Sequence, residues 1–181
     1  MTDDVYPRIY GNSELLCSDP RLCAAFTGRR AAGARVEQAS ESTVESLMPI
    51  LKRQSDEGYC VFFTGLATGF DLDAARAVLF LRDTEKKSIS LVGVQPFTGQ
   101  TAGWDRLWKR EHDEVTRLLD CRVVLRGNYS KYAYFQRNRY MVDHSSLLIA
   151  QLDAKSGGTA QTIRLARAAG IPVVFADGFN E

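Results

Sequence analysis

The chain has 181 residues, 23 of them basic and 22 acidic, for a formal net charge of +1. A domain near this size buries about 70% of the surface its unfolded chain exposes, so it folds without a disulfide or a metal. Charge balance argues against non-specific nucleic-acid binding, which draws on a basic surface, and nucleic acid is not expected as a partner; a local basic pocket remains allowed.

Residues 1–20 read as an irregular leader, with Tyr6, Pro7, Ile9 and Tyr10 either packing on the body or remaining disordered. Residues 21–181 read as one domain. Its first apolar run is Cys23–Thr27. A helix follows over Glu41–Glu57, with Val44, Leu47, Met48 and Leu51 on one face, a capping box from Ser42 and Glu45, and Gly58 just past its end. Then run Cys60–Thr64 and Ile89–Val94 frame a helix at Leu72–Arg82. Helix Trp104–Leu119 leads to run Arg122–Leu125, and helix Lys131–Asp143 to run Leu147–Leu152. The last helix, Thr159–Ala169, stops at Gly170 and Pro172 before run Val173–Ala176. The runs are almost continuously hydrophobic, as strands covered on both faces are. Alternation with helices predicts an α/β fold: a doubly wound, mostly parallel sheet of about six strands, Rossmann-like, with the default strand order 3-2-1-4-5-6.

No segment has the apolar core of a signal peptide or the length to span a membrane. Cys17, Cys23, Cys60 and Cys121 lie far apart with no CxxC, and three of them belong to apolar runs. They read as free thiols of a reducing compartment, and the expected location is cytoplasmic.

Ligands of such sheets sit beyond the carboxyl ends of the strands. After the first run come Thr27, Gly28 and Arg29, with Arg30 and Arg35 close behind; guanidinium forks suit phosphate, although solvated arginines after a glycine turn look the same in sequence. After the second run, Gly65 and Gly69 flank a strand-to-helix turn, followed by Asp71 and Asp73. Such a turn can hold an anion, and its acids either cap the helix or reach a ribose hydroxyl or a base edge. Beyond the third run, Gln100 and Trp104 lie nearest the loop, whereas the Trp104/Trp108 spacing also fits core packing. After the fourth, Arg137 and Arg139 point about 200° apart on a helix. Arg139 has Asp143 as a surface partner, leaving Arg137 and Asn138 to face a pocket. After the fifth, Ser156, Gly157, Gly158 and Thr159 lead straight into a helix and form the best phosphate cradle in the chain. His112 and His144 lack partners at metal-ligand spacing, so no metal is expected, and no cofactor motif is present.

Taken in order, Phe26-Thr27-Gly28-Arg29, Phe63 to Asp71, Gln95-Pro96-Phe97 with Gln100 and Trp104, Arg137 to Asp143, and Gly157-Gly158-Thr159 with Thr162-Ile163 resemble the YpsA/YoqJ-like branch of the SLOG superfamily, a bacterial family. The resemblance covers roughly residues 23–177. It implies a Rossmann-like fold and a nucleotide or nucleotide-derived ligand. Two related groups imply contrasting functions: DprA proteins bind single-stranded DNA, and LOG enzymes cleave a nucleotide N-glycosidic bond using a glutamate in a GGxGTxxE loop. Here the matching position is Thr162, which cannot serve as a carboxylate base. The reading that follows is a regulatory or sensor protein for a nucleotide-like small molecule, without a recognisable catalytic set. A LOG-like phosphoribohydrolase and a DprA-like binder are the alternatives, and a homo-oligomer is compatible with the sequence.

Overall fold

The computed structural model describes residues 5–31, 33–34, 36–151 and 157–176. Its strands are β1 (Arg8–Gly11), β2 (Cys23–Thr27), β3 (Val61–Thr64), β4 (Ser90–Gln95), β5 (Cys121–Val124), β6 (Leu147–Ala150) and β7 (Val173–Phe175). Its α-helices are α1 (Glu37–Asp56), α2 (Phe70–Glu85), α3 (Arg106–Arg117), α4 (Ala133–Asp143) and α5 (Gly158–Ala168). The strands form one sheet in the order β1-β5-β4-β3-β2-β6-β7. Every pairing is parallel except that of β1 with β5.

Alternate strand residues feed two apolar layers, which is why the runs are hydrophobic throughout. Ala24, Phe26, Phe62 and Leu91 face one layer with Leu47 of α1, Val78 of α2, and Trp108 and Val115 of α3. Cys23, Ala25, Phe63 and Val92 face the other, with Met141 of α4 and Ile163 and Ala166 of α5. The helices therefore divide three and two across the sheet.

That division corrects the expected strand order. Counting from the strand at Cys23, the order is 4-3-2-1-5-6, not 3-2-1-4-5-6. Because α3 stays on the same face as α1 and α2, a right-handed crossover lays β5 outside β4. The chain reverses one crossover later, through α4, and places β6 beside β2. The topological switch point is thus between β2 and β6.

The leader is not irregular throughout. Residues 8–11 cover the edge of β5, pairing Arg8 with Val124 and Gly11 with Cys121. The Arg122 guanidinium sits 4.4 Å from the centroid of the Tyr10 ring. Two short 3-10 turns, Ser13–Cys17 and Pro20–Leu22, connect this strand to β2. The anticipated capping box is also absent: α1 starts at Glu37 and leaves Ser42 and Glu45 inside the helix. Its end matches expectation. Tyr59 N–H donates to the Gln54 carbonyl at 3.0 Å and Gly58 N–H to Ser55 at 3.1 Å, the double closure of a Schellman motif. Among the described residues, no helix is long and apolar enough to cross a membrane.

Candidate functional site

At the switch point, the carboxyl end of β2 and the starts of α4 and α5 enclose a cleft of about 420 Å³. Thr27, Gly28 and Arg29 form one wall, and Gly157, Gly158 and Thr159 form another. The Thr159 hydroxyl donates to the Gly28 carbonyl at 2.9 Å and ties these walls together. Gly157 (φ 97°) holds the N-cap position of α5, and no side chain caps that helix. The left-handed turn favours glycine at 157. The first N–H groups of α5 and its positive dipole end thus open on the cleft. Thr162 lies a turn deeper, and its hydroxyl donates to the Gly158 carbonyl at 2.8 Å.

The floor is a buried ion pair. Arg137 Nη1 donates to Asp71 Oδ2 at 2.9 Å, with the two side chains 5% and 7% exposed. Asp71 also accepts from the Ala67 N–H at 3.4 Å. Burial pushes the Arg137 guanidinium below its ordinary pKa, while the Asp71 carboxylate opposes that shift. An arginine remains charged under such conditions. Its Nε is buried and has no hydrogen-bond partner among the described residues. Gly65 makes room for the pair, since a Cβ there would fall on the Arg137 guanidinium. Asn138 completes this side, with its amide facing Gly158. Arg139 points away to Asp143 at 3.1 Å, on the exposed side of α4.

The turn after β3 differs from an anion cradle. Its first helical N–H, on Phe70, donates to the Arg29 carbonyl at 3.1 Å. Leu72 and Asp73 N–H both donate to the Gly69 carbonyl. A Cβ on Gly69 (φ 84°) would lie 2.6 Å from Arg29 O and Ala31 N. Gly69 therefore lets α2 dock against the loop after β2. Gln100 and Trp104 also fall outside the cleft. The Gln100 side-chain amide donates to the Leu66 carbonyl at 2.8 Å, bracing a residue with φ 53°. Trp104 precedes α3, whose N-cap is Asp105, and packs edge-on against His112 at 5.6 Å. Ser156 and Arg35 lie outside the described residues.

One cleft side chain, Tyr134, escaped the sequence reading of the loops. Tyr134 lines the cleft one turn before Arg137, and the Arg30 guanidinium stacks over its ring at 4.1 Å. Three-residue spacing on one helix face was the available signal for Tyr134. Among the described residues no cluster of three or more His, Cys, Asp or Glu could hold a metal.

The model of the YspA SLOG family matches residues 27–168, which spans every wall of this cleft. The chain belongs to that family. DNA processing protein A from Helicobacter pylori, whose structure describes a single-stranded DNA binding mode, superposes with a TM-score of 0.63 at 19% identity. That match covers 92% of this chain and 69% of the other. DprA from Streptococcus pneumoniae superposes with a TM-score of 0.63 at 23% identity, covering 92% of this chain and 53% of that one. The chain thus spans about half the pneumococcal protein. No curated protein matches the sequence.

These neighbours overturn the expectation that nucleic acid is not a partner of this SLOG chain. A net charge of +1 sums over the whole chain. It is uninformative about a cleft that gathers Arg29, Arg30 and Arg137 at one end of the sheet.

Proposed function

We infer that the cleft binds the phosphate of a nucleotide or nucleotide-derived ligand and that the protein acts by binding it. The observation that carries this reading is the start of α5. Its N-terminus is uncapped by any side chain, begins with two glycines, and shares the cleft with Arg137, Arg29 and Arg30. Backbone N–H groups, a helix dipole and guanidinium forks converge on the site, the combination that favours an oxyanion. Catalysis finds less support. Asp71 is tied to Arg137, and the Thr162 hydroxyl is committed to the Gly158 carbonyl. Calorimetry with AMP, ADP-ribose, NAD and cyclic AMP tests the reading. At least one should bind, and Arg137→Met should weaken it about tenfold or more, the worth of one charge-assisted hydrogen bond. No heat from any of the four at millimolar concentration would refute it.

Single-stranded nucleic acid is a second reading, supported by the shared fold and by the aromatic side chains around the start of α4. Arg30 stacks on Tyr134, Lys131 Nζ lies 5.0 Å from the Tyr132 ring centroid, and Tyr129 and Tyr132 are exposed. Cations with exposed rings suit stacked bases. Anisotropy with a labelled oligothymidylate should then show salt-sensitive binding that Tyr132→Ala weakens. Salt-insensitive binding or none would remove this reading.

A further inference from the structure

The cleft at the switch point holds two polar side chains that the fold leaves unpaired. Asn138 and Thr27 both line it, 7% and 6% exposed. Among the described residues, neither side chain has a hydrogen-bond partner. Buried polar groups are paired almost everywhere in folded proteins, so two orphans in one cleft call for a ligand that pairs them. They also differ in kind from the rest of the site. The guanidinium groups and the α5 N–H groups only donate, as an oxyanion requires, whereas an amide and a hydroxyl both donate and accept. Their position narrows the choice of ligand group. A Cβ on Gly158 would lie 4.0 Å from Asn138 Nδ2, so the amide stands beside the start of α5. Thr27 ends β2 and precedes Gly28, which Thr159 ties to the same helix. In a nucleotide the sugar, not the base, adjoins the phosphate. The aromatic rings of the cleft are also taken: Phe26 is fully buried, and Tyr134 stacks against Arg30 at 4.1 Å and meets Phe97 edge-on at 5.8 Å.

We propose that the cleft takes the 5-phosphorylated ribose of its ligand, with Asn138 and Thr27 exchanging hydrogen bonds with the vicinal sugar hydroxyls and the base left outside. This placement rests on reading the start of α5 as the phosphate site. It makes Asn138 and Thr27 the residues that select the sugar, and it makes the base a minor contributor to affinity.

Calorimetry on the full chain with AMP, CMP, ribose 5-phosphate, 2′,3′-dideoxy-AMP and inorganic phosphate tests it. The first three should bind with similar affinity. Dideoxy-AMP and inorganic phosphate should bind about tenfold more weakly, since the two orphans then stay unpaired. Asn138→Leu and Thr27→Val keep the shape and remove the hydrogen-bonding atoms. Each should bring the AMP and dideoxy-AMP affinities toward equality, whereas Arg137→Met should weaken both nucleotides and keep their ratio. Because each of the two variants replaces an unpaired buried polar group with an apolar one, Tm without ligand should not fall. A lower Tm would make these side chains structural and overturn the proposal. So would equal binding of AMP and dideoxy-AMP by the unmodified protein, no binding of ribose 5-phosphate, or a preference that survives both variants; the phosphate site would stand in each case. If the unmodified protein binds none of the five probes, both readings fail.

Discussion

Removing Asp71 should reveal how much of the fold rests on the site. Asp71→Ala deletes the partner that Arg137 meets at 2.9 Å and the acceptor for Ala67 N–H. The Thr64 hydroxyl, which donates to the Asp71 backbone carbonyl at 2.8 Å, is unaffected. What remains is a guanidinium 4% exposed with no counter-charge at its Nη1. Breaking a buried pair in this way costs about 3–5 kcal/mol. Loss of an acid from the first turn of α2 changes that figure little, since such charges contribute about 0.3–1 kcal/mol. For a domain of this size each kcal/mol shifts Tm by about 2–4 °C, so a fall on the order of 10 °C is expected. Urea denaturation of Asp71→Ala, Arg137→Met and the double variant measures it. The double variant should lose less than the sum of the singles, with a coupling of about 1–3 kcal/mol. A single-variant loss below about 0.5 kcal/mol, the usual range for surface changes, would refute the buried pair. So would strict additivity.

Gly69→Ala should cost about 2–3 kcal/mol by thermal or urea denaturation, because the backbone conformation excludes a side chain and Arg29 and Ala31 leave no room for one; a neutral effect would contradict the docking of α2 on the first loop. Burial lowers the His112 pKa below its usual 6.5, only partly offset by Asp113. The unfolded state therefore binds more protons, so stability is complete above pH 6.5 and declines as pH falls below it. His112→Gln should lessen that decline, read as Tm between pH 7 and pH 5; an unchanged decline would remove His112 as its source. Burial pushes the Cys23 thiol up to about 11, and Cys121 is raised for the same reason, whereas Cys17 is exposed. A thiol reagent at pH 8 should label Cys17 at once and Cys23 and Cys121 only on unfolding; rapid labelling of Cys23 would contradict its place in the core.

Much of this was legible in the chain because parallel strands and their crossovers carry strong local signals. Cys23–Thr27 is a strand over the anticipated span, and the Gly58 and Gly170 stops hold because left-handed helix endings depend on nearby residues. Three features depend on distant partners and were not legible. The edge strand Arg8–Gly11 is short and has no buried residue, and its register comes from β5. The strand order depends on which face receives α3, a matter of packing by Trp108 and Val115. The glycines after β3 look like a phosphate loop, yet Gly65 accommodates Arg137 and Gly69 accommodates the loop after β2. Sequence spacing identified Arg137 as inward-facing but could not reveal Asp71 as its partner, 66 residues away. Gln100 and Trp104 were placed by proximity to a loop; packing turned them toward Leu66 and His112.

The central claim is that the start of α5 holds phosphate. Amide NMR shifts of the full chain, titrated with AMP, test it most directly. Gly158 and Thr159 N–H and the Asn138 side-chain amide should shift together and saturate, and Arg137→Met should need about tenfold or more AMP to reach the same shifts. Saturable shifts confined to another part of the molecule, or none at millimolar AMP, would contradict it.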